Sequence, residues 1–165
     1  MGDKPGLNDR WARMTAPDDQ PLTLQHKLNR LFAYFHSATE TELSSGALAF
    51  LLGNKLGREI ATSDILRARS GSGSLPNDVC DAVCSLMGVA DFYLAPSPDD
   101  ETDSLIKHED ARLHLWSAAR DRGVEGLIAR NATEDDLEAL IVAVEQLPLL
   151  ADTPTRPHHL SIVAN

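Results

Sequence analysis

The chain has 165 residues, a 42% hydrophobic fraction and a formal net charge of −10. That length holds one ordinary domain, or a small domain with an oligomerisation appendage, and no run approaches the ~20 apolar residues of a membrane helix. The opening MGDKPGLNDRWARM has no apolar stretch behind its charges and does not read as a secretory leader, so a cytoplasmic protein is expected.

Residues 1–21 hold three prolines, four aspartates and little periodicity, and read as a flexible arm. The first helix begins behind Thr23, a suitable cap, with Leu24, Leu28, Leu31, Phe32 and Phe35 on one stripe. A second follows the polar HSATETEL. Ser44 or Ser45 caps it, Leu48, Leu51 and Leu52 form its inner face, and Gly57 breaks it. A third, roughly Thr62 to Ser70, starts on a Thr/Ser cap and ends at Gly71, a residue suited to a left-handed turn. After the connector SGSGSLP, Pro76 suits the first turn of a fourth helix with Val79, Val83, Leu86 and Met87 inside and Gly88 as its stop. VADFYL then closes the unit as a short apolar element.

PSPDDETD, two prolines and four acids, reads as a boundary. Beyond it a long helix is expected from about Ser104 to Arg120, with Leu105, Leu113, Trp116 and Ala119 among its apolar positions and Gly123 as its interruption. VEGLIARN reads as a short helical piece. Thr133 and Asp136 resemble a capping box, and behind them Leu137, Leu140, Ile141, Val144 and Leu147 form a seam ended by Pro148. Residues 149–165 read as a disordered tail. The expected class is all-α.

Few groupings suggest catalysis or metal binding. Cys80 and Cys84 lie four apart on one helix, a geometry poor for a disulfide and too few ligands for structural zinc; they read as small buried apolar residues. The histidines show no ligand spacing beyond His158–His159 in the tail. SGSGS lacks the Lys-Ser/Thr and preceding strand of a phosphate loop. No cofactor, metal or enzyme activity is expected.

The order of elements from Leu43 to Leu94 resembles the five-helix DNA-binding domain of the XRE (Cro/phage-repressor) helix-turn-helix family. In that family the fourth and fifth helices commonly read like CDAVCSLMGVADFYL. KLNRLF, ILRARSG, FYL and RDRGVEGLIAR look like segments of nucleoid-associated mycobacterial regulators of the family, in the same order, and the likeness spans about residues 24–132. The resemblance implies a helix-turn-helix domain over residues 22–95, a helical dimerisation domain over residues 96–148, and a nucleoid-associated, DNA-binding homodimer.

It also implies that the helix around residues 62–70 reads DNA. Such a helix presents short polar side chains at its N-terminal end and keeps an apolar one inward: Thr62, Ser63 and Arg67 fit the first role, Ile65 the second. Arg67 suits a guanine. Lys55, Arg58, Arg69 and Ser70 suit phosphates, and Ser45 offers a hydroxyl or amide to another. The seam Leu137, Leu140, Ile141, Val144 and Leu147 is then the dimer contact, though it also suits packing on the preceding helix.

Three departures stand out. Asp64 puts a carboxylate in the reading end, and Leu66 and Ala68 stand where more polar or larger residues are usual. Charge distribution permits DNA binding: eight of the ten excess negative charges lie in residues 96–165, leaving the front nearly neutral. The competing expectation is a protein-interaction module on the same scaffold, for a sigma factor or another regulator.

Overall fold

The computed structural model describes residues 20–37, 39–96, 99–124, 127 and 131–150. Among them the chain is all-helical, with six helices and no strand: α1 Leu24–Phe35, α2 Ser45–Leu56, α3 Thr62–Arg69, α4 Asn77–Met87, α5 Asp100–Asp121 and α6 Glu134–Glu145. The expected arm, the VEGLIARN piece and the expected tail lie wholly or mostly outside the described residues. No helix is long and apolar enough to cross a membrane.

Local chemistry sets most of the boundaries. Thr23 Oγ1 accepts from the His26 amide at 3.2 Å and starts α1. Ser44, not Ser45, caps α2 by accepting from the Ala47 amide at 3.0 Å. Gly57 and Gly88 end α2 and α4 in the left-handed region that glycine enters without a Cβ clash. Thr133 and Asp136 make the full reciprocal box that starts α6. α3 lacks the expected hydroxyl cap: Ala61 occupies the position and Thr62 is already helical.

The connector after α3 owes its tightness to glycine. Gly71 turns with φ +79, and a Cβ there would meet the Gln25 side chain of α1 at 2.6 Å. At Gly73 a Cβ would meet the Arg67 Cβ at 2.9 Å. SGSGS therefore folds back over the end of α3.

One core gathers Leu28, Leu31, Phe32, Leu48, Ala49, Leu52, Ile65, Ala68, Val79, Val83, Met87 and Tyr93. Leu51, expected inside, is exposed, because Leu48, Ala49 and Leu52 already fill the inner face of α2. Cys80 and Cys84 are free thiols in this core, as their spacing suggests. Burial pushes the Cys80 thiol up to about 11 and also raises that of Cys84. Lys27 is buried too, and its ammonium, with a pKa lowered chiefly by burial, donates to the Ala95 carbonyl at 2.7 Å. That bond fastens the 91–95 turn beneath α1.

The acidic stretch is not where the first core ends. Asp99 accepts from the Thr102 amide at 2.7 Å, so α5 starts four residues before the expected Ser104. Asp100, Glu101 and Asp103 occupy its first turn, where the helix dipole favours negative charge. α5 then crosses both cores. Ile106 and Leu113 pack into the first, while Leu115, Ala118 and Ala119 join Val124, Leu127, Leu137, Leu140 and Val144 in the second. Leu105 and Trp116, expected among its apolar positions, face outward.

A polar junction ties α5 to α1. The Tyr93 hydroxyl donates to Asp110 at 2.5 Å, while His26 Nε2 and Arg30 Nε lie 3.0 and 3.4 Å from the same carboxylate. Burial raises the Asp110 pKa, but the His26 hydrogen bond, the Arg30 charge and the Tyr93 hydrogen bond together hold it below the usual aspartate range. The Tyr93 phenol is raised, first by burial and then by the Asp110 charge. Further along α5, Arg120 donates to the carbonyls of Ala33, Tyr34 and His36. These are carbonyls at the end of α1, which its own helix leaves without partners.

Candidate functional site

Helices α2 and α3, joined through Gly57, present polar side chains together with the exposed Phe50 and Leu66. α3 turns Ile65 and Ala68 fully into the core. At 3.6 residues per turn this aims Thr62, Ser63, Leu66, Arg67 and Ser70 outward as one stripe, and all five are exposed. The Gly46 backbone of α2 packs beside Thr62, with space for a Cβ at 3.7 Å from the Thr62 hydroxyl. Arg58 and Glu59 belong to an open groove between α2 and α3, also lined by Phe50, Asn54 and Ile60.

The expected phosphate-binding cations are not equivalent. Lys55 is exposed in the last turn of α2. Arg58 pairs with Asp78 of α4 at 2.6 Å, both side chains about half exposed. Arg67 pairs with Asp64 one turn earlier, at 2.5 Å, and is 63% exposed. Exposed pairs of this kind are worth about 0–1 kcal/mol, so either arginine can exchange its carboxylate for another anion at small cost.

Arg69 is built in. Its guanidinium carbon lies 3.7 Å from the centre of the buried Phe32 ring. Its Nε donates to Asn29 Oδ1 at 3.1 Å, and Nη2 to Glu42 at 2.8 Å. Asn29 returns a hydrogen bond to the Arg69 carbonyl. This arginine fastens the end of α3 to α1, which corrects its expected role as a phosphate contact. Ser45 needs a similar correction: its side chain is buried at the start of α2, so its hydroxyl is not on the surface. The Ser70 hydroxyl donates to the Arg67 carbonyl at 3.0 Å and caps the end of α3.

The seam expected to pair two chains is spent within one. Leu137, Leu140 and Val144 are buried in the second core, and Ile141 and Leu147 pack against its edge. A single chain satisfies them because α5 continues far enough to cover α6. His114 Nε2 lies 3.0 Å from Glu145 across the same helix pair, and burial, then the Arg30 charge, lower its pKa against the pull of Glu145. Among the described residues, exposed large apolar side chains nearby include Leu105 and Trp116 on α5, Val142 on α6, and Leu149 and Leu150 after it.

Sequence reasoning missed the Asp110 junction and the Arg120 clamp. No signal in sequence marks Asp110, because the inner face of α5 is covered by two different helices and carries no single apolar stripe. No group of three or more histidines, cysteines or carboxylates placed to hold a metal occurs among the described residues. No protein-family model, curated protein or solved structure matches the chain.

Proposed function

We propose that the chain is a transcription regulator of the XRE helix-turn-helix kind that binds double-stranded DNA as a dimer through the outward face of α3. The observation that carries this reading is the stripe Thr62, Ser63, Arg67 and Ser70: short hydroxyls and one loosely paired arginine, presented by a helix whose opposite side is fully buried. Hydroxyls at the start of such a helix and an arginine one turn on are the groups that reach base edges in the major groove. Lys55 and Arg58 flank the stripe and are the phosphate contacts; the Arg69 guanidinium and the Ser45 hydroxyl are not among them. The resemblance to the nucleoid-associated regulator EspR supports the same reading.

Pairing then uses different residues from the buried seam. Leu105 and Trp116 lie eleven positions apart, close to three helical turns, so they share one face of α5. These two exposed side chains are the apolar positions on which two copies meet. That surface lies on the acidic part of the chain, which faces away from DNA.

The test is fluorescence polarisation of the full chain on genomic duplex fragments across a salt series, with sedimentation to read the pairing. Binding is expected to weaken as salt rises, and Arg67→Ala to cost about tenfold or more in affinity. Absence of binding at low salt, or an unchanged Arg67→Ala, overturns the reading. One observation favours a second: Phe50 is 69% exposed beside the α2–α3 groove, and the nearby arginines are matched by Asp64 and Asp78. A surface so balanced suits a protein partner such as a sigma factor, and that module is what remains if DNA does not bind.

A further inference from the structure

The stripe contains one residue that neither the fold nor a polar contact accounts for. Leu66 lies on α3 one turn after Thr62 and one before Ser70, and it is 54% exposed. Ile65 and Ala68 supply the whole inward face of α3, so the core does not require Leu66. Exposed on the same helix are the hydroxyl residues Thr62, Ser63 and Ser70, three and four positions away, and the adjacent Arg67. A leucine there leaves apolar area in water that burial would stabilise by about 25 cal/mol per Å².

Resting on the DNA-binding reading above, we propose that Leu66 is a specificity-determining residue that recognises the 5-methyl group of thymine. The edges that base pairs show in the major groove are hydrogen-bond donors and acceptors with a single apolar group, and that group is the thymine methyl. A half-exposed leucine between hydroxyls, on the same stripe as a guanine-reading arginine, is matched in chemistry to that group. Leu66 and Arg67 are adjacent, so the contacted sequence places thymine within a step of guanine. The loose Asp64–Arg67 pair lets the arginine swing to its base while Leu66, with its shorter and stiffer side chain, marks the register.

Random-sequence duplexes are first enriched for binding to the wild-type chain. The enriched duplexes are then resynthesised with deoxyuridine in place of thymidine, which removes the methyl and leaves every hydrogen-bonding group. Wild-type affinity is expected to fall about fourfold per contacted methyl, the value of one buried methyl-sized group. Leu66→Ala and Leu66→Gln should bind thymidine duplexes about as weakly as the wild type binds deoxyuridine duplexes, and be indifferent to the exchange. Wild-type binding that is tight and indifferent to deoxyuridine overturns the Leu66 assignment alone. So does a Leu66→Ala chain that remains as sensitive to the exchange as the wild type. Failure to enrich any duplex overturns the DNA-binding reading, and this inference with it.

Discussion

Asp64 and Arg69 show how a residue's surroundings change its meaning. In sequence Asp64 is a carboxylate among residues that the proposed DNA contact needs uncharged or basic. In the fold it lies 2.5 Å from Arg67 and pairs with it on the exposed face of α3. Arg69, given the same phosphate role as Arg58 in sequence, is stacked on Phe32 and bonded to Asn29 and Glu42. Its removal is therefore a stability change. Arg69→Ala is expected to lower the free energy of unfolding by about 1–2 kcal/mol, from a partly desolvated cation–π contact and its charged hydrogen bonds. Arg58→Ala, breaking an exposed pair, should change it by less than about 0.5 kcal/mol. Thermal denaturation of the two variants side by side checks this; equal effects would mean that Arg69 is a surface residue.

At the scale of elements, caps and stops were legible and faces less so. Thr23, Gly57, Gly71, Gly88 and the Thr133–Asp136 box act at the ends the sequence suggests, since capping is a contact within a few residues. The start of α5 was not legible, because a run of acids reads equally as linker and as a first helical turn. Nor was the inner face of that helix: it is covered by α1 on one side and α6 on another, so no single apolar stripe marks it. The Arg120 contact belongs here, one helix closing the end of another. Arg120→Ala leaves the carbonyls of Ala33, Tyr34 and His36 without these donors. It is expected to cost about 2 kcal/mol, seen as a melting temperature lower by roughly 4–8 °C. Hydrogen exchange should show the loss first at the end of α1; uniform protection would contradict a clamping role.

For the whole molecule, the Asp110 junction ties α5, the helix that enters both cores, to α1 and the 91–95 turn. The folded pKa of Asp110 is depressed, so the unfolded chain takes up a proton first as pH falls. The stability it contributes is present above the unfolded aspartate pKa of about 4 and is lost as pH drops through the lower folded value. The wild-type melting temperature should therefore decline below about pH 4. Asp110→Asn should melt lower at neutral pH and show a shallower acid decline. An Asn variant with the wild-type pH profile would show that the stability lost in acid belongs to other carboxylates.

The sequence by itself determined the helical class, five of the six helix starts to within a residue or two, and the inward roles of Ile65, Cys80 and Cys84. Each of these depends on periodicity and near-neighbour chemistry, which survive in one dimension. Only the tertiary structure decided which charges and which apolar side chains remain available. Arg69 and the Leu137–Val144 seam are drawn inward by partners from other helices and Ser45 is buried at the start of α2, while Leu66, Leu105 and Trp116 are left outside because other residues already fill the cores. Burial is a property of neighbours far apart in sequence, and it is burial that separates a residue holding the fold from one presented to a partner.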